Sequence, residues 1–63
     1  MTRFYVKIPL NYPHRVTFIR RHDTYDAAMA YHPRESGQVV IVNGQGRILE
    51  WNVEDQGPLN GSG

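Results

Sequence analysis

Cysteine is absent from this 63-residue chain, which excludes disulfide bonds, thiolate metal ligands and thiol catalysis. Small secreted domains usually depend on disulfides, so the absence of cysteine favours a reducing, cytoplasmic location. Long apolar runs are missing as well, and we therefore expect neither a signal peptide nor a membrane span. A chain of this length buries only roughly 60% of the surface that its unfolded form exposes, which predicts a single domain with a thin core.

Acidic residues are absent from the first 22 positions, which hold five basic residues: Arg3, Lys7, Arg15, Arg20 and Arg21. Residues 23–63 hold all six acidic residues and only two arginines. Such an asymmetry is typical of a surface for nucleic acid or for an acidic partner. It would also arise if basic and acidic strands lay side by side and neutralised each other across a sheet.

Residues for catalysis and metal binding are scarce. His14, His22 and His32 lie eight and ten positions apart, whereas zinc sites use closely spaced ligand pairs or ligands that converge from known elements. Neither serine lies in a recognisable nucleophile motif. A chain this short also lacks the volume for a ligand pocket of ~300 Å³ or more. We therefore predict no catalytic residue, no metal, no cofactor and no small-molecule substrate, and hence a protein that is not an enzyme.

The first part of the chain alternates between apolar and polar side chains. This pattern runs through residues 3–10 and returns in residues 15–21, which is typical of half-buried strands. Residues 11–14 contain Asn and Pro, which favour a turn. Together the three segments predict a β-hairpin. Pro9 has no amide proton, so we expect it at the end of its strand or at a sheet edge.

A short helix is predicted next. Asp23 or Thr24 can act as its N-cap, and Asp26 would lie in the first turn, where a negative charge is favourable. Pro33 ends the helix at His32, which gives a length of about nine residues, or ~13 Å. Such a short helix is marginal in isolation and must be held by packing on the sheet.

The second half predicts another hairpin. Residues 38–42 are β-branched and almost all apolar, which indicates a strand that is buried on both faces or covered by a second molecule. Asn43 and Gly44 favour a tight turn with positive φ. Residues 47–53 form the returning strand, with Leu49, Trp51 and Val53 on one face. We expect residues 54–63 to be a flexible C-terminal tail.

The order β-β-α-β-β predicts an α+β domain over residues 1–53, in which one short helix packs on one face of a mostly antiparallel four-stranded sheet. Strand order stays open. Four strands make a sheet roughly 15–19 Å wide, whereas a helix is about 10 Å across. We therefore expect the helix to leave Tyr5, Ile19 and one side of residues 39–42 partly uncovered.

Residues 22–50 carry a sequence pattern of their own. It consists of His22-Asp23-Thr24 at the helix start, Ala28 in the helix, the apolar residues 39–42 and the segment Gly44-Gln45-Gly46-Arg47-Ile48. In this pattern the chain resembles a group of very short, uncharacterised bacterial proteins of β-β-α-β-β type. The resemblance covers about half of the chain. It implies the fold and carries no activity.

The uncovered apolar surface suggests an interaction site. We predict a small non-catalytic protein-binding module, an adaptor or inhibitor, that uses strand addition and can also form a homodimer. Phage-encoded inhibitors that occlude host or defence complexes have a similar build. Trp51 has an alternative place in the core against the helix. The candidate anchors are of types enriched at interfaces: Tyr5, Ile19, Tyr31 and Trp51.

Nucleic-acid binding by the first hairpin is the alternative function. Basic side chains would neutralise phosphates, and an aromatic ring would stack on a base. A sequence pI near 8.2 is lower than is typical of dedicated nucleic-acid-binding domains. No membrane partner is expected. The residues predicted for this alternative are Arg3, Tyr5, Lys7, Arg15, Arg20 and Arg21.

Overall fold

The computed structural model describes residues 2–10, 15, 20–31 and 37–59. Its elements in chain order are β1 (Arg3–Pro9), α1 (Tyr25–Ala30), β2 (Gly37–Asn43) and β3 (Ile48–Glu50). The strands form one antiparallel sheet in the order β1-β2-β3, and α1 packs against β1 and β2. The predicted α+β class is confirmed, whereas a fourth strand is not shown within the described ranges. No helix in those ranges is long and apolar enough to cross a membrane.

The core lies on both faces of the sheet. Because β2 is the central strand, its residues 39–42 are all buried, as their unbroken apolar character predicts. Alternate side chains point to opposite faces, so β2 contributes to two clusters. The first cluster contains Val6, Ile8, Val40, Val42 and Ile48, with Phe4 packed against it. The second, on the helix side, contains Tyr5, Ala28, Val39, Ile41 and Val53, with Tyr25 and Leu59 packed against it.

The end of β1 depends on one proline and one glycine. Pro9 pairs with Gly37, and β1 is an edge strand of the three-stranded order, where a missing amide proton is tolerated. A Cβ on Gly37 would lie 2.5 Å from the carbonyl oxygen of Ile8 and 2.8 Å from the nitrogen of Leu10. Only glycine therefore allows β1 and β2 to approach this closely.

The second strand of the predicted first hairpin is not shown within the described residues. Arg15 forms an isolated antiparallel bridge with Arg47, beside β3, whereas His22 bridges to Tyr5, on β1. The Tyr5 and His22 main chains exchange two hydrogen bonds of 2.9 Å. Residues 15 and 22 thus lie beside opposite ends of the strand order, and residue 15 does not pair with β1. The predicted turn at residues 11–14 and the middle of the second segment, residues 16–19, fall outside the described residues.

The helix begins where its capping chemistry predicts. The Thr24 side chain accepts a hydrogen bond from the Ala27 amide at 3.2 Å, and Asp26 lies in the first turn. The helix has six residues rather than about nine, because Tyr31 is already extended, with φ −71° and ψ 127°. The Tyr31 amide donates to the carbonyls of Ala27 and Ala28, which closes the last turn.

The second hairpin has a three-residue loop. The Gly46 amide donates to the Asn43 carbonyl at 3.0 Å, and the Asn43 amide donates to the Arg47 carbonyl at 2.9 Å. The positive φ of 86° is at Gly46, not at Asn43 or Gly44 as the sequence suggested. A turn followed by a residue in the left-handed region is the common geometry for loops of this length.

The third strand is shorter than the predicted residues 47–53. Ile41 pairs with Glu50 while Val42 pairs with Ile48, so Leu49 is an extra residue in a β-bulge. An extra residue changes which side chains face the core. The expected common face of Leu49, Trp51 and Val53 is therefore wrong: the first two are exposed and Val53 is buried.

The expected tail packs on the domain as far as residue 59. The Tyr5 hydroxyl accepts from the Gln56 amide at 2.7 Å and donates to the Gly57 carbonyl at 3.1 Å. The Leu59 amide donates to the Asp23 carbonyl at 3.0 Å, and the Leu59 side chain packs against the helix-side cluster. The folded unit thus extends beyond residue 53. Residues 60–63 lie outside the described residues.

Candidate protein-binding surface

The predicted anchor Tyr5 is not at the surface. Its exposed fraction is 0%, and its ring meets the Tyr25 ring edge to face at 5.6 Å. The hydrogen bonds to Gln56 and Gly57 use its hydroxyl within the domain. The expectation of an uncovered Tyr5 is therefore wrong, because helix α1 and residues 56–57 cover it together.

The other predicted anchors have different positions. Trp51 is 39% exposed, so the alternative of a core position against the helix is not what the structure shows. Tyr31 is half-buried, with its ring 5.4 Å from the His22 ring. Ile19 lies outside the described residues. Trp51 is thus the predicted anchor that the structure places most clearly at the surface.

The residues predicted to bind nucleic acid do not share one face. Arg3 and Lys7 alternate with the even-numbered residues of β1 and so lie on the face of Tyr5, whereas the Arg21 guanidinium lies over the Phe4 ring, 5.6 Å from its centroid. Arg15 and Arg20 are exposed. The burial of Tyr5 also removes the ring that was expected to stack on a base.

Several of these basic side chains have partners within the domain. Arg3 forms an ion pair with Glu50 at 2.9 Å. The Lys7 ammonium donates to the Met29 carbonyl at 3.3 Å, and the Arg21 guanidinium donates to the Gly44 carbonyl at 3.5 Å. Charge neutralisation between a basic and an acidic strand, one of the two readings of the charge asymmetry, thus occurs at Arg3.

Arg15 and Arg47 are paired through their main chains. Both residues are exposed, and their bridge places them directly opposite each other on neighbouring segments. Side chains of directly opposed residues lie on the same face, so the two arginine side chains leave the main chain next to each other. Sequence reasoning missed Arg47, since nothing local in the sequence relates it to Arg15.

Four residues within four positions of Arg47 in the chain help to line a depression of about 350 Å³, whose lining is Thr2, Asn43, Gly44, Gln45 and Leu49. The expectation that so short a chain lacks space of this size is therefore wrong. The Asn43 side-chain oxygen already accepts from the amides of Gln45 and Arg47, both at 2.9 Å. Its amide nitrogen is the part of the side chain that can donate to a ligand. These bonds also brace the loop that forms one wall.

We use the name hairpin surface for this depression together with Arg15, Arg47 and Trp51. Leu49 is 40% exposed and Trp51 39% exposed, and both follow Arg47 closely in the chain. The hairpin surface thus combines apolar side chains, a polar-rimmed depression and two adjacent positive charges. The sequence signals that could have indicated this surface are Trp51 and the asparagine-glycine turn.

His22 is the described residue whose protonation the fold changes. Burial lowers the pKa of its ring below the ordinary value of 6.5, the positive charge of Arg20 lowers it further, and Asp23 partly opposes this. Its Nε2 atom is buried and has no hydrogen-bond partner among the described residues. The same residues contain no group of three or more potential metal ligands, while His14 and His32 lie outside them.

No protein family model, curated protein or solved structure matches this chain. The resemblance of residues 22–50 to very short bacterial proteins stays a prediction.

Proposed function

We propose that this protein is a small non-catalytic protein-binding module that acts through the hairpin surface. The observation that carries the proposal is the exposure of Leu49 and Trp51, two residues apart, next to a depression that Leu49 lines. Burying a large apolar side chain contributes roughly 1.5–3 kcal/mol. A domain with a thin core that leaves two such side chains at one place is typical of an interaction site.

Two other exposed apolar side chains support the proposal less well. Leu10 is 64% exposed and Met29 48% exposed, one at the end of β1 and the other on α1. The depression is lined by neither of them. Binding sites usually combine apolar anchors with a concave surface and a few polar groups, and the hairpin surface has all three.

The position of β3 suggests how a partner would bind. It is the last strand in the order β1-β2-β3, and Arg15 is the described residue that bridges to its outer side, at Arg47. A partner segment that paired with the outer side of β3, after Arg47, would gain main-chain hydrogen bonds. Leu49 and Trp51 would supply side-chain contacts. A second copy of the chain could use the same surface, which would give a homodimer.

The Glu50 and Asp55 carboxylates make contacts within the domain, which suits a non-catalytic binding module. Glu50 pairs with Arg3, and the Asp55 carboxylate accepts from the Gly57 amide at 2.9 Å. A compact module of this kind would act as an adaptor, or as an inhibitor that occludes a larger complex. The phage origin and the cytoplasmic location expected from the sequence belong to this proposal.

Nucleic-acid binding by the first hairpin has less support. Its stacking residue Tyr5 is buried, and its basic residues lie on both faces of the sheet. Arg3 is neutralised by Glu50. A phosphate backbone would therefore meet no continuous basic and aromatic face among the described residues.

A selection from a random peptide display library tests the proposal. The Leu49→Ala/Trp51→Ala variant should bind the selected peptides at least tenfold more weakly than the wild type, while Leu10→Ala/Met29→Ala should bind them within twofold. Tenfold corresponds to about 1.4 kcal/mol. If no peptide is enriched and light scattering shows a monomer, or if both variants bind alike, the hairpin surface is not a protein-binding site.

A further inference from the structure

We infer that the partner segment is acidic and that Arg15 and Arg47 bind its carboxylates. This inference rests on the proposed function and names the chemistry of the partner at the same surface. Its starting point is the bridge that holds the two arginines opposite each other.

The main chain holds the two charges together at a cost. Like charges directly opposite each other on neighbouring strands are destabilising. Arg47 cannot move away freely, because its amide donates to the Asn43 side chain and its carbonyl accepts from the Asn43 amide, both at 2.9 Å. A carboxylate bound between the guanidinium groups would turn this repulsion into two attractions.

Two other arginines of the domain have side-chain partners that Arg15 and Arg47 lack among the described residues. The Arg3 guanidinium pairs with Glu50 at 2.9 Å, and the Arg21 guanidinium contacts Phe4 and the Gly44 carbonyl. Within the described ranges, neither the Arg15 nor the Arg47 side chain forms a hydrogen bond or an ion pair. Their planar donor groups are free to bind carboxylates through two parallel hydrogen bonds each.

The surroundings suggest the form of the acidic segment. Leu49 follows Arg47 by two residues and is the extra residue of the bulge, so the two Cα atoms are at most about 7 Å apart. An extended segment places its residues i and i+2 at the same separation. A segment with an acidic residue two positions from an apolar one can therefore reach the arginine pair and the Leu49 wall of the depression together.

A polypeptide fits this surface better than a nucleic acid does. Trp51 is the one aromatic ring of the hairpin surface, and the aliphatic Leu49 beside it offers no second ring on which a neighbouring base could stack. The Glu50 carboxylate, which pairs with Arg3, lies one residue from Leu49. A run of phosphates would pass close to that carboxylate, whereas one or two carboxylates from a peptide can avoid it. We therefore commit to an acidic protein segment.

The test uses the same random peptide library and two variants that each remove two positive charges. The selected peptides should be enriched in Asp and Glu near an apolar residue. A synthetic copy of the best peptide should bind Arg15→Gln/Arg47→Gln at least tenfold more weakly than the wild type. It should bind the matched control Lys7→Gln/Arg20→Gln, whose residues do not line the depression, within twofold. Replacing the acidic residues of the peptide by their amides should cause a similar loss.

The outcomes separate this inference from the proposed function. Enriched peptides without acidic residues that bind Arg15→Gln/Arg47→Gln normally would overturn the inference and leave the protein-binding module in place. The second probe is a 20-nucleotide single strand, which spans roughly one to five oligonucleotide-binding sites. If it binds more tightly than the peptide and Arg15→Gln/Arg47→Gln loses this binding, the arginine pair binds phosphates and the inference is overturned. If no peptide binds, both proposals fall.

Circular dichroism melting should show Arg15→Gln/Arg47→Gln to be as stable as the wild type or slightly more stable, because a repulsion is removed.

Discussion

The surroundings of Tyr5 and the hairpin surface show two different fates for an aromatic side chain, one on strand β1 and the other directly after strand β3. The Tyr5 main chain pairs with His22, its ring meets Tyr25 of helix α1, and its hydroxyl bonds to residues 56–57. The residue is 0% exposed. At the hairpin surface the bulge at Leu49 interrupts the strand, and Trp51 stays 39% exposed. In this domain a returning C-terminal segment provides the cover that a larger protein would obtain from another helix.

The strongest test of this comparison replaces each aromatic residue in turn. Tyr5→Ala should lower the free energy of unfolding by about 3–5 kcal/mol, as other buried aromatic truncations do. That is as large as the whole stability of about 3–5 kcal/mol expected for a core this small. The variant should therefore be largely unfolded by circular dichroism.

Trp51→Ala is the matched control for that change. The Trp51 side chain is 39% exposed, against 0% for Tyr5, so urea unfolding should show a smaller loss than that of Tyr5→Ala. A loss as large as that of Tyr5→Ala would mean that Trp51 supports the core, and the contrast between the two regions would fail.

Tyr5→Phe separates the hydroxyl from the ring. The substitution keeps the packing against Tyr25 but leaves the Gln56 amide and the Gly57 carbonyl without their partner. Leaving such groups unpaired costs about 1–3 kcal/mol, measurable by urea unfolding. Amide hydrogen exchange at Gln56 should become faster. Unchanged exchange there would show that residues 56–57 are held on the domain by other contacts.

Asn43→Ala tests whether the hairpin surface is braced by its loop. Its side-chain oxygen accepts from two main-chain amides, so we expect a loss of about 1 kcal/mol in urea unfolding. The selected peptides should also bind more weakly. Gln45→Ala is the control for stability, since Gln45 is exposed, and it should change the free energy of unfolding by less than about 0.5 kcal/mol.

The smallest effect concerns pH and His22, at the edge of the Tyr5 region. The folded-state pKa of His22 lies below its unfolded value of 6.5, so near that pH the unfolded chain binds more protons. The stability that depends on neutral His22 is complete above pH 6.5 and is lost as the pH falls through 6.5 toward the lower folded-state value. The melting temperature should therefore decrease over this window.

His22→Gln gives the control for the pH effect, because it cannot titrate. The difference in melting temperature between this variant and the wild type should change across the same window. A difference that stays constant with pH would show that other groups cause the dependence.

Local patterns in the sequence were enough for several features of the fold. The unbroken apolar residues 39–42 predicted the buried central strand, and Thr24 predicted the start of the helix. The asparagine-glycine turn predicted the second hairpin, though not its positive φ at Gly46. Each of these features depends on residues within a few positions of one another, where strand alternation, capping and turn chemistry act.

Tertiary structure alone decided the partners of residues that are distant in the chain. The pairing of Arg15 with Arg47, the bulge at Leu49 and the packing of residues 54–59 determined which side chains are buried and which form the hairpin surface. The physical reason is that these contacts depend on how the whole chain covers a sheet that one short helix cannot cover. The sequence by itself determined the segments and their capping, and the closed fold determined their neighbours.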